Sequence, residues 1–279
     1  MPIQDMKDQV NLKMDIVPAD VFRFCKIREQ IRMQRANGDD WYGNLDITEG
    51  EKDVLVNSRM NNIFRDHDKV TVALWSKLKG LPPYEFWRNV LIGRFINRKD
   101  RIDEAFPLKS DWFVWGDKDP LVNSAAYQLN PGLGKAFGVK TVRECVPLLD
   151  SKVMPTLEVL KPGLSIKEAT EAGNKAFGGY VTFMMFQAIL DVATLHPTWI
   201  DPHSEIIVGQ GAHATQEALG LSVEEFKSMA RQMWPEHLEV RPNGLYDFDV
   251  ENIFCEFRKF MKRQIDGIPS NRRYKRKLI

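Results

Sequence analysis

Apolar positions recur along this chain mainly at spacings of three and four, the period of a helix with one buried face. Val21, Phe22, Phe24, Cys25, Ile27 and Ile31 predict a helix over Pro18–Ala36, which Asn37-Gly38 stops. A second helix is predicted over Ile47–Arg65, opened by Thr48 and Glu51 at capping-box spacing. A third, Asp66–Lys79, is closed by Gly80 and Pro82-Pro83, and Pro83–Asn97 and Pro120–Leu129 follow. Val139–Leu160 reads as one or two short helices. Ser165 and Glu168 repeat the capping-box spacing at the head of Ser165–Lys175. Phe177-Gly178-Gly179 then opens a long apolar helix through Leu195, and Ser222–Gln232 and Asp247–Gln264 come last. Strand-like runs are few: Trp112–Trp115, Glu205–Val208 and Leu238–Arg241. The predicted class is mainly α, a helical bundle with few short strands. It is laid out as one helical domain over 1–279, or as two closely packed helical lobes, with a basic tail over 258–279. Loops rich in Gly, Pro and Trp, at 38–46, 111–120 and 196–213, are where a site would be built.

Composition narrows this picture. At 279 residues, 43% hydrophobic and 28% charged, the chain is neither disordered nor collagen-like nor a coiled coil. The longest apolar candidate, Tyr180–Leu195, is interrupted by Thr182, Gln187 and Asp191, short of the roughly 20 apolar residues of a membrane span. The opening MPIQDMKDQV has no apolar signal core, and Cys25, Cys145 and Cys255 are scattered and odd in number; both fit a protein of the reducing cytoplasm, with no membrane partner. Net charge is +1, but residues 258–277 carry nine Lys or Arg and one acid, which is +8 and leaves −7 for the rest. A basic end on an acidic body suggests a polyanion, nucleic acid first, with a solvated tail as the plain alternative.

Several chemistries lack their motifs. Gly132-Leu-Gly-Lys135 has the residue types of a phosphate-binding loop without the spacing, and no GxGxxG, HExxH or GxSxG is present. His196 and His203 flank Asp201, a conceivable but thin metal set. Three polar stripes remain. Arg59, Asn62, Arg65 and Asp68 recur every third residue; arginine forks suit phosphates and Asn a base edge, although such residues also make ordinary surface ion pairs. Gln187 and Asp191 share a side of the apolar helix with Tyr180 and Met184. An acid there is paired, at a helix end, or facing a cavity, where burial would raise its pKa and make it a general base. The Gly178-Gly179 turn before that helix would let a phosphate backbone approach its N-terminus. Finally, Glu251, Cys255 and Lys259 share a face, and Glu256 can reach Lys259 across three residues. The alternative there is an amphipathic helix with Cys255 packed inside; Cys255 serves as a nucleophile only if its basic neighbours depress its pKa.

Taken together, these segments resemble one family. Arg35-Ala-Asn-Gly38, Asp39-Asp40-Trp41, Asp46 and Arg59-Met-Asn-Asn62-Ile-Phe-Arg65-Asp-His-Asp68-Lys69-Val-Thr71 look like its N-terminal signature. Phe177-Gly-Gly-Tyr180 with Gln187 and Asp191 looks like its central helix. Val208-Gly-Gln-Gly-Ala212, Gly220-Leu221, Glu251-Asn-Ile-Phe-Cys255-Glu256-Phe-Arg-Lys259 and Arg272-Arg-Tyr274 are similar to its C-terminal half. The family is that of the alpha-glutamyl/putrescinyl thymine pyrophosphorylases of bacteriophages, the amino acid:DNA transferases, whose helical domain also occurs in 5-hydroxymethyluracil DNA kinases. The resemblance spans roughly residues 20 to 275. Departures at Met60, Asn61 and Gln210 leave the amine donor unnamed.

The resemblance implies a bundle like the helix-hairpin-helix DNA glycosylases and a defined reaction. An amine, from an amino acid or putrescine, displaces pyrophosphate from diphosphorylated 5-hydroxymethyluracil in double-stranded DNA. The location would be the host cytoplasm. The reacting base would be flipped into a pocket. A carboxylate must take the amine's proton, Asp191 first and Glu251 second. Arg59, Arg65 and Lys259 are candidates to hold the leaving pyrophosphate. Asn62 or Gln187 would bond the base edge, and Trp41 or Tyr180 would stack on it unless they are core aromatics. Asp68 and Glu256 complete the substrate set; Gly178, Gly179, Arg272, Arg273, Lys275 and Arg276 would contact DNA. No cofactor is expected, and a divalent ion on the pyrophosphate has no ligand motif. Two rivals stand beside this reading: a glycosylase-like enzyme excising a modified base, with Asp191 stabilising the sugar cation, and a non-catalytic DNA-binding protein.

Overall fold

The computed structural model describes residues 16–37, 45–58, 60–109, 136–138 and 146–268. Every regular element among them is helical: α1 (Pro18–Asn37), α2 (Glu49–Asn57), α3 (Lys69–Ser76), α4 (Pro83–Ile96), α5 (Lys99–Ala105), α6 (Val153–Val159), α7 (Ile166–Phe177), α8 (Thr182–Leu195), α9 (Gln210–Leu219), α10 (Val223–Met233) and α11 (Asp247–Asp266). Short 3₁₀ turns cover Arg65–His67, Val146–Lys152 and Pro235–Glu239. The mainly α class is therefore as the apolar period indicates. The starts of α2, α7 and α10 are also where the sequence puts them. Thr48 and Ser165 cap α2 and α7 with full capping boxes through Glu51 and Glu168, and Ser222 with Glu225 does the same for α10.

The chain divides into two compact units, Met1–His67 with Val208–Ile279, and Asp68–Ile207. In the first, α11 packs against α1, α2, α9 and α10. Its core is aromatic: Phe22 stacks on Phe226 at 4.7 Å, Phe226 meets Phe254 edge-on at 4.7 Å, and Phe24 lies 5.0 Å from Phe260. In the second, α4 is buried from Phe86 to Ile96 and packs against α6 and α8, while α7 packs on α8. Close approach there requires Gly173, since a Cβ at that position would lie 2.7 Å from Met185 Sδ.

Four expectations need correction. The helix predicted over Ile47–Arg65 stops at Asn57, and residues 58 and 60–64 are not helical. The Arg59, Asn62, Arg65, Asp68 spacing is thus not a stripe on one helix: Asn62 lies in that non-helical stretch, Arg65 starts a 3₁₀ turn, and Asp68 is the N-cap of α3. Glu205–Val208 is irregular and Leu238–Arg241 belongs to a 3₁₀ turn and its exit. A strand needs a ladder partner, and no other strand exists among the described residues. Lys99–Ala105 and Gln210–Leu219 form helices the apolar period does not announce, the second starting inside a Gly-rich loop. Trp112–Trp115 and Pro120–Leu129 lie outside the described residues. No helix among the described residues is long and apolar enough to cross a membrane.

The caps generate a simple test. Ser165→Ala and Ser222→Ala each remove both bonds their hydroxyl makes at the helix start. Each is expected to cost about 1 kcal/mol in chemical denaturation.

Candidate functional site

Residues 60–63 leave the helix but stay packed, with Ile63 and Phe64 buried. Their peptide groups are paired by side chains. Arg28 Nη2 donates to the carbonyl of Asn61 at 2.9 Å, and the Asn61 amide donates to Glu256 Oε2 at 2.9 Å. Asn252 Nδ2 donates to the carbonyls of Asn62 and Ile63 at 2.9 and 2.7 Å. The side chain of Asn62 is itself engaged, donating to the carbonyl of His67 at 2.6 Å. One strap of backbone is thereby pinned to α1 and α11.

The same stretch of α11 carries the third polar stripe. Glu251, Cys255 and Lys259 are partly exposed, while Glu256, on the neighbouring side, is fully buried between the Asn61 amide and the Lys259 ammonium. Opposite them runs Gly209-Gln210-Gly211, where α9 begins without a side-chain cap. A Cβ on Gly209 would fall 2.8 Å from Glu251 Oε1, and one on Gly211 would fall 3.2 Å from Cys255 Sγ. The two glycines let the backbone close over the α11 face, and the Gly209 amide lies near enough to Glu251 to favour its carboxylate.

This enclosure sets the chemistry. Burial pushes the Glu251 carboxyl up to about 7; the Gly209 N–H and the Lys259 charge pull it back, and Glu256 pushes it further. A carboxyl poised there can take or give a proton near neutrality. Burial also raises the Cys255 thiol, which argues against a thiolate nucleophile. Burial works to lower the Lys259 ammonium, but Glu256 outweighs it and the net shift is upward.

In the second unit, Asp191 is differently placed. It is fully buried, and its oxygens accept from Arg94 Nε and Nη2, both at 2.5 Å, and from Trp75 Nε1 at 2.7 Å. Arg94 Nη2 also donates to Thr71 Oγ1 at 3.0 Å, and that hydroxyl donates to Asp68 Oδ2 at 3.0 Å. Asp68 and Asp191 thus belong to one network that ties α3, α4 and α8 together. Of the two roles the sequence allows for Asp191, the geometry matches the paired structural acid. Its charge is taken by a bidentate arginine.

The remaining candidates are dispersed. Gln187 is half-buried on α8, and Tyr180 is exposed just before it. Tyr180 follows Gly178 and Gly179 in a left-handed turn, with φ of 113°, 79° and 65° in order. Asn174 Oδ1 closes that turn by accepting from the Val181 amide at 2.9 Å. The His203 amide donates to Asp201 Oδ1, and the His196 ring packs edge-on against Phe86 at 4.5 Å. No group of three or more His, Cys, Asp or Glu gathers as a metal site among the described residues. Trp41, Arg59, Arg272, Arg273, Lys275 and Arg276 lie outside the described residues.

Asn62, Glu251, Glu256 and Lys259 are therefore brought together in one unit, and Asp68 and Asp191 in the other. Reasoning from stripes misses Gly209, Gly211, Asn252 and Arg28. The Gly-x-Gly at the head of α9 is a signal of close backbone approach. Arg28 and Asn252 have no such signal, because their partners are carbonyls in a segment whose spacing reads as helix. Comparison with family models, curated proteins and solved structures finds no match to this chain.

Two stability tests follow. Asp191→Asn leaves Arg94 buried without its counter-charge and is expected to destabilise the second unit by about 3–5 kcal/mol, read by thermal melting. Glu251→Gln should act in the opposite sense. A carboxyl raised on folding binds its proton more tightly in the folded state, so folding weakens as pH climbs from about 4.5 through about 7. The Gln variant should match wild type at pH 4 and exceed it at pH 8, by something on the order of 3 kcal/mol. Equal melting at both pH values would mean that Glu251 is not poised near neutrality.

Proposed function

We propose that the chain is a DNA-base-modifying transferase that displaces pyrophosphate from diphosphorylated 5-hydroxymethyluracil with an amine, and that Glu251 is its base. The observation carrying this reading is the partly open α11 face. A carboxyl near 7 sits there beside Gly209, Gly211, Cys255 and Lys259, all within segments that resemble the transferase family.

The chemistry asks little else of the protein. The nucleophile must be a neutral amine, so its ammonium form gives a proton to Glu251. The C–O bond to the diphosphate breaks as the C–N bond forms, and the pyrimidine ring can help expel pyrophosphate through an exocyclic methide-like state. The leaving charge needs cations. Arg65 is partly exposed on its 3₁₀ turn, and Arg258 has Nη1 3.9 Å from where a Gly211 Cβ would lie; these two are the candidates. Asp191 moves in this reading from base to scaffold. Its neutralisation by Arg94 equally weakens the glycosylase alternative, which needs an uncompensated carboxylate beside the sugar cation.

The test uses DNA carrying diphosphorylated 5-hydroxymethyluracil and a pool of amines, followed by digestion and nucleoside mass. A heavier nucleoside with pyrophosphate release is expected. Abasic DNA would indicate a glycosylase, and unchanged DNA a binding protein. Glu251→Gln should lose on the order of 10²-fold or more in turnover while keeping DNA affinity. Because a base must be deprotonated, wild-type turnover should rise with pH through about 7.

A further inference from the structure

Packing in the first unit leaves a space. Between α1, α2 and α11 lies a cavity of about 200 Å³. Its apolar walls include Phe24, Leu55, Phe257 and Phe260, none more than 4% exposed. Phe24 lies 5.6 Å from Phe257 and 5.0 Å from Phe260, so three rings stand together there. Protein interiors hold few voids larger than a water, because groups around an unfilled space forfeit their contacts. Helical spacing sets Phe257 and Phe260 on a different side of α11 from Glu251, Cys255 and Lys259. The cavity is therefore not the Glu251 site.

Its charged lining is Asp20, Arg23 and Glu51, a net charge of −1. Arg23 and Glu51 satisfy each other and their surroundings. Arg23 Nη1 donates to Glu51 Oε1 at 2.6 Å and Nη2 to the Asp46 carbonyl at 2.6 Å, while the Thr48 amide donates to Glu51 Oε2 at 2.8 Å. Asp20 is placed otherwise. Its Oδ2 accepts from the Val17 amide at 3.1 Å, and no cation among the described residues forms an ion pair with it. An anion would gain little from a guanidinium already matched by a carboxylate. A cation would meet the one carboxylate left uncompensated, and an apolar body would fill the space behind it.

We infer that this cavity is a binding site for a small alkylammonium, with its charge at Asp20 and its chain among the three phenylalanines. A cavity of about 150 Å³ takes benzene, so this one suits a chain of roughly six carbons. The site is separate from the Glu251 face and stands whether or not Glu251 is a base.

The test is a titration of the full chain with n-hexylammonium, 1-hexanol and hexanoate, read by calorimetry and by the ¹³C-methyl NMR signals of Leu55 and Met261, which both line the space. Hexylammonium should shift both signals and bind about threefold or more tighter than hexanol, with hexanoate weakest. Asp20→Asn keeps an acceptor for the Val17 amide and should bring hexylammonium down to the affinity of hexanol. Met261 is partly exposed, and Met261→Trp should fill the space and abolish binding. Methyl signals that hexylammonium leaves unmoved overturn the inference. So does hexanol or hexanoate binding as tightly as the amine, or an Asp20→Asn variant that binds hexylammonium as wild type does.

Discussion

A buried peptide group that leaves a helix must find another partner or cost about as much as a lost hydrogen bond, and residues 60–63 are where this chain meets that demand. Arg28, Asn252 and Glu256 supply the partners from α1 and α11. Much of the candidate site follows from that solution. Glu256 is drawn into the interior to meet the Asn61 amide, and its second oxygen then binds Lys259. Glu251 lies on the same helix, under the backbone of Gly209.

Two carboxylates show how partners, more than burial, decide what an acid can do. Asp191 has no exposed surface, and a planar arginine fork and an indole N–H meet its oxygens. Its charge is compensated where it sits, and its energy goes into joining helices. Glu251 is slightly less enclosed, and the Gly209 amide and the charge of Lys259 favour its ionised form against burial. With its desolvation only partly offset, its proton is exchangeable near neutrality. The two residues look alike on a helical wheel: an acid on a largely apolar helix with polar neighbours at four-residue spacing.

The glycines make a similar contrast. Gly178 and Gly179 occupy left-handed backbone in the turn before α8, a conformation that even Tyr180 shares. Gly209 and Gly211 have ordinary backbone available to them, and what they lack is room: a side chain there would collide with Glu251 or crowd Cys255. The first pair shapes a turn, and the second closes a helix N-terminus over a carboxyl.

Local rules written in the sequence were enough for the helical class and for the starts of α2, α7 and α10. An N-cap hydroxyl and a Glu three residues on interact within a single turn and need no knowledge of the rest of the chain. The shared face of Glu251, Cys255 and Lys259 was equally legible, since helical spacing alone places it. The end of α2 at Asn57 was not, because nothing in residues 58–64 breaks a helix; side chains far away in sequence outbid it for those peptide groups. Nor were the different surroundings of Asp191 and Glu251. Periodicity reports that an acid is buried, while its partner, Arg94 on another helix or a glycine amide from another segment, is chosen only when the chain folds. Spacing along a helix is a property of the sequence, but the field at a carboxylate is a sum over neighbours that tertiary packing brings close.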